Sequence, residues 1–451
     1  MPEKEIKGGL KVEDVIVATG GKMISGNSTV FTGVSIDSRT IREGELFIAL
    51  RGRRFDGHDF LQEALRMGNG AVVSFPPTGF REGKTLITVK DTLKAFQSLA
   101  RYMRLKRDIP VIGITGSNGK TTTKELIASI LSTAYRVLKN TGNLNNHIGL
   151  PLTLTKIRET DEAAVLEMGA SGPGEIKDLC EIAMPDYGVL TNISPSHFEG
   201  FNDMETLRRT KLEILDYINV AVVNADDSFL IEGIQASKFK GRMVRFGINS
   251  EAEVYATDIK LHEKGSVFLL HVGEDKSIEV HPKISGGFNI YNILAAASVG
   301  YLLQVDLEHI KKVVDSFISV PMRFEIKELR GMRIISDVYN ANPASMEEAI
   351  KELIRLRKKR AIAVLGDMLE LGSYEKEAHG RLVMWMSELP VDVFIAVGPL
   401  MSSAASEFSR EVYRLQSSLE ARKILKDICK EGDTVLIKGS REMSMERVLE
   451  T

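Results

Sequence analysis

Residues 113–121, Gly113-Ile-Thr-Gly-Ser-Asn-Gly-Lys-Thr121, combine the residue types that hold a phosphate chain. Gly116 and Gly119 lack the Cβ that would keep backbone N–H groups away from an anion. The apolar run Ile109-Pro-Val-Ile112 leads in, and Leu126, Ile127, Ile130 and Leu131 follow at helical spacing. Strand, glycine-rich turn and helix in that order aim the positive end of the helix dipole at the turn. Lys120 can reach terminal phosphates, and the Thr121 hydroxyl can hold Mg²⁺. The chemistry is that of a nucleoside triphosphate site. The standard phosphate-loop pattern has a glycine five residues before Gly119, where this chain has Ile114.

Other residues extend that chemistry. Glu167 ends the apolar run of Val165-Leu-Glu-Met-Gly-Ala170, and strand ends in a parallel sheet face the ligand crevice. It is placed to meet Mg²⁺ held by Thr121. His197 follows another strand-like run and fits a metal or phosphate role, or an ordinary hydrogen-bonded histidine. Lys211, in Thr210-Lys-Leu-Glu-Ile214, reads on spacing alone as a helix-surface lysine. Asn289 and Asn292 share a helix face behind Gly286-Gly287, where paired amides can read a base edge or Asn289 can cap the helix. Asp337-Val-Tyr-Asn-Ala-Asn-Pro-Ala-Ser345 offers Asp337 to ribose hydroxyls and Asn340, Asn342 and Ser345 to a polar ligand. Asn342 with Pro343 also reads as an N-cap and first-turn proline. Lys438-Gly-Ser-Arg441 puts positive charge at a strand end, which suits an anion. Ser35-Ile-Asp-Ser-Arg39 and Arg51–His58 can hold a second phosphorylated ligand or form a solvated loop.

These residues need a scaffold, and 451 residues exceed one typical core. Residues 1–107 mix short β-rich runs with helical stretches near Phe60–Met67 and Thr92–Lys106. Residues 108–320 alternate strand-like and helix-like segments, which argues for a parallel sheet covered on both faces. Helices are expected at Thr121–Thr133, Met204–Tyr217 and Asn289–Leu303, and Val267–Val272 belongs to an antiparallel insertion. Residues 321–451 repeat the alternation, as in a smaller doubly wound domain. Hydrophobic residues are 43% and charged residues 27%, with a formal net charge of −2. That balance implies no general attraction to nucleic acid or anionic membranes. Cys180 and Cys429 are far apart and outside any metal-like spacing, so no disulfide framework is expected. The N-terminus lacks a secretory pattern, and no apolar run approaches a membrane span, so a cytoplasmic protein is expected.

Taken together, the segments resemble the Mur ligase family, ATP-dependent amino-acid ligases of bacterial cell-wall precursor synthesis. Thr115-Gly-Ser-Asn-Gly-Lys-Thr121 looks like that family's phosphate loop, and the resemblance covers nearly the whole chain. Gly142-Asn-Leu-Asn-Asn-His-Ile-Gly-Leu-Pro151, Glu167–Ile176, Asp337–Ser345, Leu365-Gly-Asp-Met-Leu-Glu-Leu-Gly372 and Lys438–Arg441 look like the branch that adds a dipeptide. No Asp-Asn-Pro-Arg segment, the mark of the branch adding the third residue, is present.

The resemblance implies a three-domain α/β fold. It comprises an N-terminal UDP-binding domain, a central P-loop ATPase-like parallel-sheet domain and a C-terminal Rossmann-like domain for the incoming dipeptide. It implies ATP, two Mg²⁺ ions, UDP-N-acetylmuramoyl-tripeptide and D-Ala-D-Ala as ligands, with no nucleic acid, no membrane span and a monomeric chain. By position, Gly116, Ser117, Asn118, Gly119, Lys120, Thr121 and Thr122 would hold phosphates, and Asn289 and Asn292 adenine. Arg323 and Asp337 would sit near phosphate and ribose. Thr121 and Glu167 would bind one Mg²⁺, and His197 with Lys211, as a CO₂-derived carbamate, a second. Lys120, His197 and Lys211 would be catalytic. Ser38, Arg39, Asn143, Asn145, Asn146, Asn340, Asn342, Ser345, Lys438, Ser440 and Arg441 would contact substrates. A folate polyglutamate ligase and an ATP-dependent switch without ligation are the competing readings.

Overall fold

The structure, a computed structural model, describes residues 9–52, 54–76, 83–196 and 198–450. Three main sheets divide them. The first runs Lys22–Ser25, Thr85–Thr88, Gly70–Val73, Leu46–Ile48 and Val34–Ser35 across its width. Only its edge strand Lys22–Ser25 is antiparallel. The helix Thr92–Leu105, capped by the Asp91 carboxylate on the N–H groups of Leu93 and Lys94, buries Ala95, Phe96 and Leu99 against it.

The second sheet has nine strands. Its parallel part orders Val254–His262, Arg242–Gly247, Val220–Asn224, Tyr187–Leu190, Val111–Thr115, Ala163–Glu167 and Val137–Lys139. Val111–Thr115 and Ala163–Glu167 are buried along their whole length, which accounts for their near-continuous apolar runs. The helix Lys120–Leu131 covers one face through Leu126, Ile127, Ile130 and Leu131. The helix Phe288–Leu302 lies beside it and is apolar on nearly every side, as a doubly covered helix must be. On the other face, Glu175–Ala183 and Met204–Leu212 pack Ile176, Leu179 and Leu207.

The expected antiparallel insertion continues this same sheet. Gly265–Val272 pairs with Val254–His262 on one side and Lys276–Val280 on the other, both antiparallel. Phe268, Leu270 and Val272 alternate inward and join the core, so the strands extend the sheet rather than form a separate lobe. The stretch expected as one helix over Met204–Tyr217 is an α-helix to Leu212 followed by a 3₁₀ turn over Glu213–Asp216. There the Glu213 carboxylate accepts from the N–H groups of Gly174 and Lys177 and ties the turn to the start of the helix Glu175–Ala183.

The third sheet orders Glu325–Leu329, Met332–Asp337, Thr434–Lys438, Ala361–Gly366, Val393–Val397 and Glu411–Leu415. All pairs but the first are parallel. Thr434–Lys438 lies between Met332–Asp337 and Ala361–Gly366, so the ends of those strands open a crevice. This sheet is tied to the central one through the hairpin turn at residues 262–265. Arg333, 2% exposed, donates to the Leu356 carbonyl at 2.8 Å and to Glu263 at 2.6 Å. Arg355 donates to the His262 carbonyl. Among the described residues, no helix is long and apolar enough to cross a membrane, and Cys180 and Cys429 are free thiols.

Candidate active site

The phosphate loop leaves the central strand Val111–Thr115 between Ala163–Glu167 and Tyr187–Leu190. Its glycines are sterically required. A Cβ on Gly116, at φ +140°, would lie 2.0 Å from the Thr191 hydroxyl. On Gly119, at φ +81°, it would lie 2.3 Å from Asn292 Oδ1. The segment following Tyr187–Leu190 holds the loop. Ser117 N–H donates to the Asn192 carbonyl and Asn118 N–H to Asn192 Oδ1, at 2.9 and 3.0 Å. The Thr191 hydroxyl and Asn192 amide donate to the Asn118 carbonyl at 2.7 and 3.1 Å. Ser117 and Ser194 exchange hydrogen bonds. The first-turn N–H groups of Lys120, Thr121 and Thr122 have no acceptor within their own helix and remain for an anion.

Charge gathers at this helix start. Lys120 donates to the carbonyls of Gly116 and Ser117 at 2.7 and 3.0 Å. Loss of water pushes its pKa down to about 8; Arg323 adds to the shift, and Glu167 opposes it. Arg323 reaches in from the third sheet's side, stacks on Tyr339 at 3.6 Å and donates to the Thr121 hydroxyl at 3.2 Å. Among the described residues its Nε is a buried donor with no partner, a group that phosphate oxygen satisfies.

Glu167 is 3% exposed, and its Oε2 accepts from the Thr121 hydroxyl at 2.9 Å. Asn145 Nδ2 donates to Oε1 at 2.8 Å. Asn140, wholly buried, clasps the Glu167 backbone in both directions at 2.9 Å. One carboxylate and one hydroxyl, both oxygen donors beside a phosphate cradle, fit Mg²⁺, which takes its remaining ligands from phosphates and water. Among the described residues, no cluster of three or more His, Cys, Asp or Glu side chains forms a metal cage.

Lys211 departs from the reading of a surface lysine, because it is 1% exposed. Its ammonium is 3.4 Å from the Ala170 carbonyl and 5.8 Å from the Phe201 ring centroid. Burial pushes its pKa down to about 7; nearby Lys120 adds to this, while Glu175 and Glu213 oppose it. A buried amine that sheds its proton this readily fits a CO₂ acceptor. His197 lies outside the described residues.

Several sequence-predicted residues are engaged within the protein. Asn289 donates to the Ser285 carbonyl and accepts from Asn292, whose Oδ1 accepts from Thr123. The pair therefore braces the phosphate loop, and the helix begins at Phe288 rather than at an Asn289 cap. Asp337 accepts from Lys438 at 2.5 Å and from Phe324 N–H at 3.2 Å. Lys438, 1% exposed, also donates to the Asn340 carbonyl, so its charge neutralises Asp337 and is not a free anion site. Asn342 and Ser345 form a reciprocal capping box on the helix Pro343–Arg355, which takes up groups expected to contact ligand. Asn146 accepts from the N–H groups of Ile148 and Gly149. Ser440 accepts from Leu369 N–H, and Arg441 pairs with Glu446.

These groups line one cavity of about 1080 Å³ between the second and third sheets. Phosphate loop, Asn143, Asn145, Asn146, Glu167, Asn289, Asn292, Arg323, Asp337, Asn340, Asn342, Ser345, Lys438, Ser440 and Arg441 all border it. Lys211 is buried next to it, its ammonium 3.4 Å from the carbonyl of Ala170, which borders the cavity. Ser38 and Arg39 lie apart from it, in the turn after the first sheet's strand Val34–Ser35, paired with Glu63 and Asp37. Sequence reading missed Asn140, Thr191, Asn192 and Tyr339. Thr191 and Asn192 had a signal, since they directly follow an apolar strand. Asn140 and Tyr339 act through partners distant in sequence.

A parallel sheet whose switch point holds a phosphate loop, facing a second doubly wound domain, defines an ATP-grade phosphoryl-transfer site. Residues 114–300 match the Mur ligase middle domain, residues 322–441 the Mur ligase glutamate ligase domain, and residues 30–104 the Mur ligase family catalytic domain. The chain belongs to the Mur ligase family. It is 36% identical over 439 residues to the UDP-N-acetylmuramoyl-tripeptide–D-alanyl-D-alanine ligase of Bacillus subtilis, covering 93% of each chain. It superposes on MurF from Acinetobacter baumannii with a TM-score of 0.91 at 32% identity, covering 100% of this chain and 99% of that one. MurF from Thermotoga maritima in complex with ADP gives 0.81 at 32% identity, covering 92% and 96%.

Gly119→Ala should weaken magnesium-ATP binding by about tenfold or more, because the left-handed backbone and the Asn292 contact both oppose a methyl group. Isothermal calorimetry measures it, with circular dichroism checking that the fold persists.

Proposed function

We propose that the chain joins D-alanyl-D-alanine to the terminal carboxylate of UDP-N-acetylmuramoyl-tripeptide, using ATP and releasing ADP and phosphate. The observation that carries this reading is the single cavity in which Lys120, Thr121 and Glu167 of one domain meet Arg323 and the Asp337–Ser345 segment of another. A relative at 36% identity along 93% of both chains carries that activity in its name, which supports the substrate choice over a folate polyglutamate ligase.

In the first step, the substrate carboxylate attacks the γ-phosphorus of ATP. The bond to ADP breaks, and an acyl phosphate forms. In the second, the dipeptide amine attacks the acyl carbon, gives up a proton, and phosphate leaves. The first step brings a carboxylate against a triphosphate and the second needs an amine aligned on the acyl carbon, so the protein's task is charge neutralisation and alignment. Lys120 and the N–H groups of the helix Lys120–Leu131 face the phosphates, and Arg323 adds a cation from the opposite domain. Thr121 and Glu167 would hold Mg²⁺, which supplies further neutralisation of the transferring phosphate. Lys211, as a carbamate, would present an anion to a second Mg²⁺ together with His197.

By the same reading, residues 1–107 bind the UDP end through the Ser38–Arg39 loop, residues 108–320 bind ATP, and residues 321–451 bind the dipeptide. Asn143, Asn145, Asn340 and Arg441 border the path between the two reacting groups. The chain works as a monomer, and its nucleotide-linked substrate fits a bacterial cytoplasm.

ADP release should require both the UDP-linked tripeptide and D-Ala-D-Ala, with the pentapeptide product seen by mass spectrometry. ATP hydrolysis without a new amide would instead support a switch protein. Lys120→Ala should slow turnover by ~10²–10³ through loss of one preorganised donor; near-normal turnover would remove the phosphate-loop assignment. With ¹³C-bicarbonate, the protein should show a carbamate carbonyl resonance that Lys211→Arg abolishes. Identical spectra for the two proteins would refute the carbamate.

A further inference from the structure

At its tip, the phosphate loop meets the third-sheet domain through an amide pair. Asn342 Nδ2 donates to Asn118 Oδ1 at 2.7 Å, and Asn118 Nδ2 lies 3.4 Å from Asn342 Oδ1. The two residues are 224 positions apart. Each is also fixed on its own side. Asn118 sits at the tip of the loop, with its N–H and carbonyl held by Thr191 and Asn192 and its amide by Ser194 at 2.9 Å. Asn342 caps the helix Pro343–Arg355, its Oδ1 accepting from Ser345 N–H at 2.9 Å. Neither side chain can turn without breaking a second bond, so the pair transmits position between the two domains. An N-cap uses only the side-chain oxygen. Serine or aspartate caps as well as asparagine, and only the Asn342 Nδ2 group adds the donor that reaches the loop.

The geometry points to Asn342 as a positioning residue that registers the C-terminal domain on the phosphate loop through Asn118. Phosphate-loop geometry and dipeptide delivery thereby become one coupled variable. The assignment rests on the ligase reading for its kinetic consequence, but the contact itself is testable without turnover. Arg323 makes the neighbouring crossing, on the Thr121 hydroxyl, and leaves the tip of the loop to Asn342.

Asn342→Ser separates the two duties, because serine keeps the cap and loses the amide donor. In the ligation assay, its kcat/KM for D-Ala-D-Ala should fall by roughly 3- to 10-fold, the range of one hydrogen bond. Asn118→Ala should lose at least as much, because it also removes the bond to Ser194, and adding Asn342→Ser to it should cost little more, since the contact between the two is already gone. Hydrogen exchange without substrates provides the second readout. Amides of residues 116–120 should exchange faster in Asn342→Ser, while the helix Pro343–Arg355 stays protected. Unchanged exchange in the loop, or losses that simply add in the double variant, would overturn the inference. A protein that exchanges as expected yet forms no amide would sink the ligase reading and leave the contact standing.

Discussion

The phosphate loop is held open from behind by side chains that occupy its inward-facing groups. Thr191 and Asn192 bond the N–H and carbonyl of Asn118, and the Asn192 carbonyl takes the Ser117 N–H. A glycine-rich turn left to itself samples many backbone states and loses much entropy on ordering. Here that cost is met in the folded protein, so a ligand meets donors already aimed. The glycines are then required for space as much as for backbone freedom, because Thr191 and Asn292 press against Gly116 and Gly119.

Electrostatics follow from that frame. Buried Glu167 would be a costly isolated charge, yet it is held by Thr121 and Asn145 and lies 4.0 Å from the buried Lys124 ammonium. Lys124 in turn donates to the carbonyl of Asn140, the residue that clasps the Glu167 backbone. On the cationic side, loss of water lowers the pKa of Lys120 and of Lys211; Arg323 adds to the first shift and Lys120 to the second. At the phosphate loop itself, Lys120, Arg323 and the open N–H groups of the helix start converge, which favours an anionic ligand at that end of the cavity.

The C-terminal residues expected to contact ligand line the cavity and also carry bonds within the protein. Asp337 and Lys438 neutralise each other across adjacent parallel strands, and Asn342 with Ser345 closes a helix start. These groups shape the cavity wall and fix the Arg323–Tyr339 stack against the phosphate loop. Polar residues at strand ends serve both packing and binding, and spacing alone does not separate the two duties.

Local signals carried much of the architecture. Near-continuous apolar runs located the strands Val111–Thr115 and Ala163–Glu167, because a strand buried on both faces is apolar along most of its length. Segments such as Arg242–Gly247 and Ser228–Ser237 were missed, since their half-exposed faces dilute the periodic pattern. The sequence by itself determined the phosphate cradle, for glycine, lysine and threonine at that spacing act within one turn of chain. Only the tertiary structure decided that Lys211 is buried, that Asn289 braces rather than caps, and that Lys438 is neutralised. Each of those outcomes depends on a partner brought near by folding, and burial and charge pairing are properties of neighbours in space.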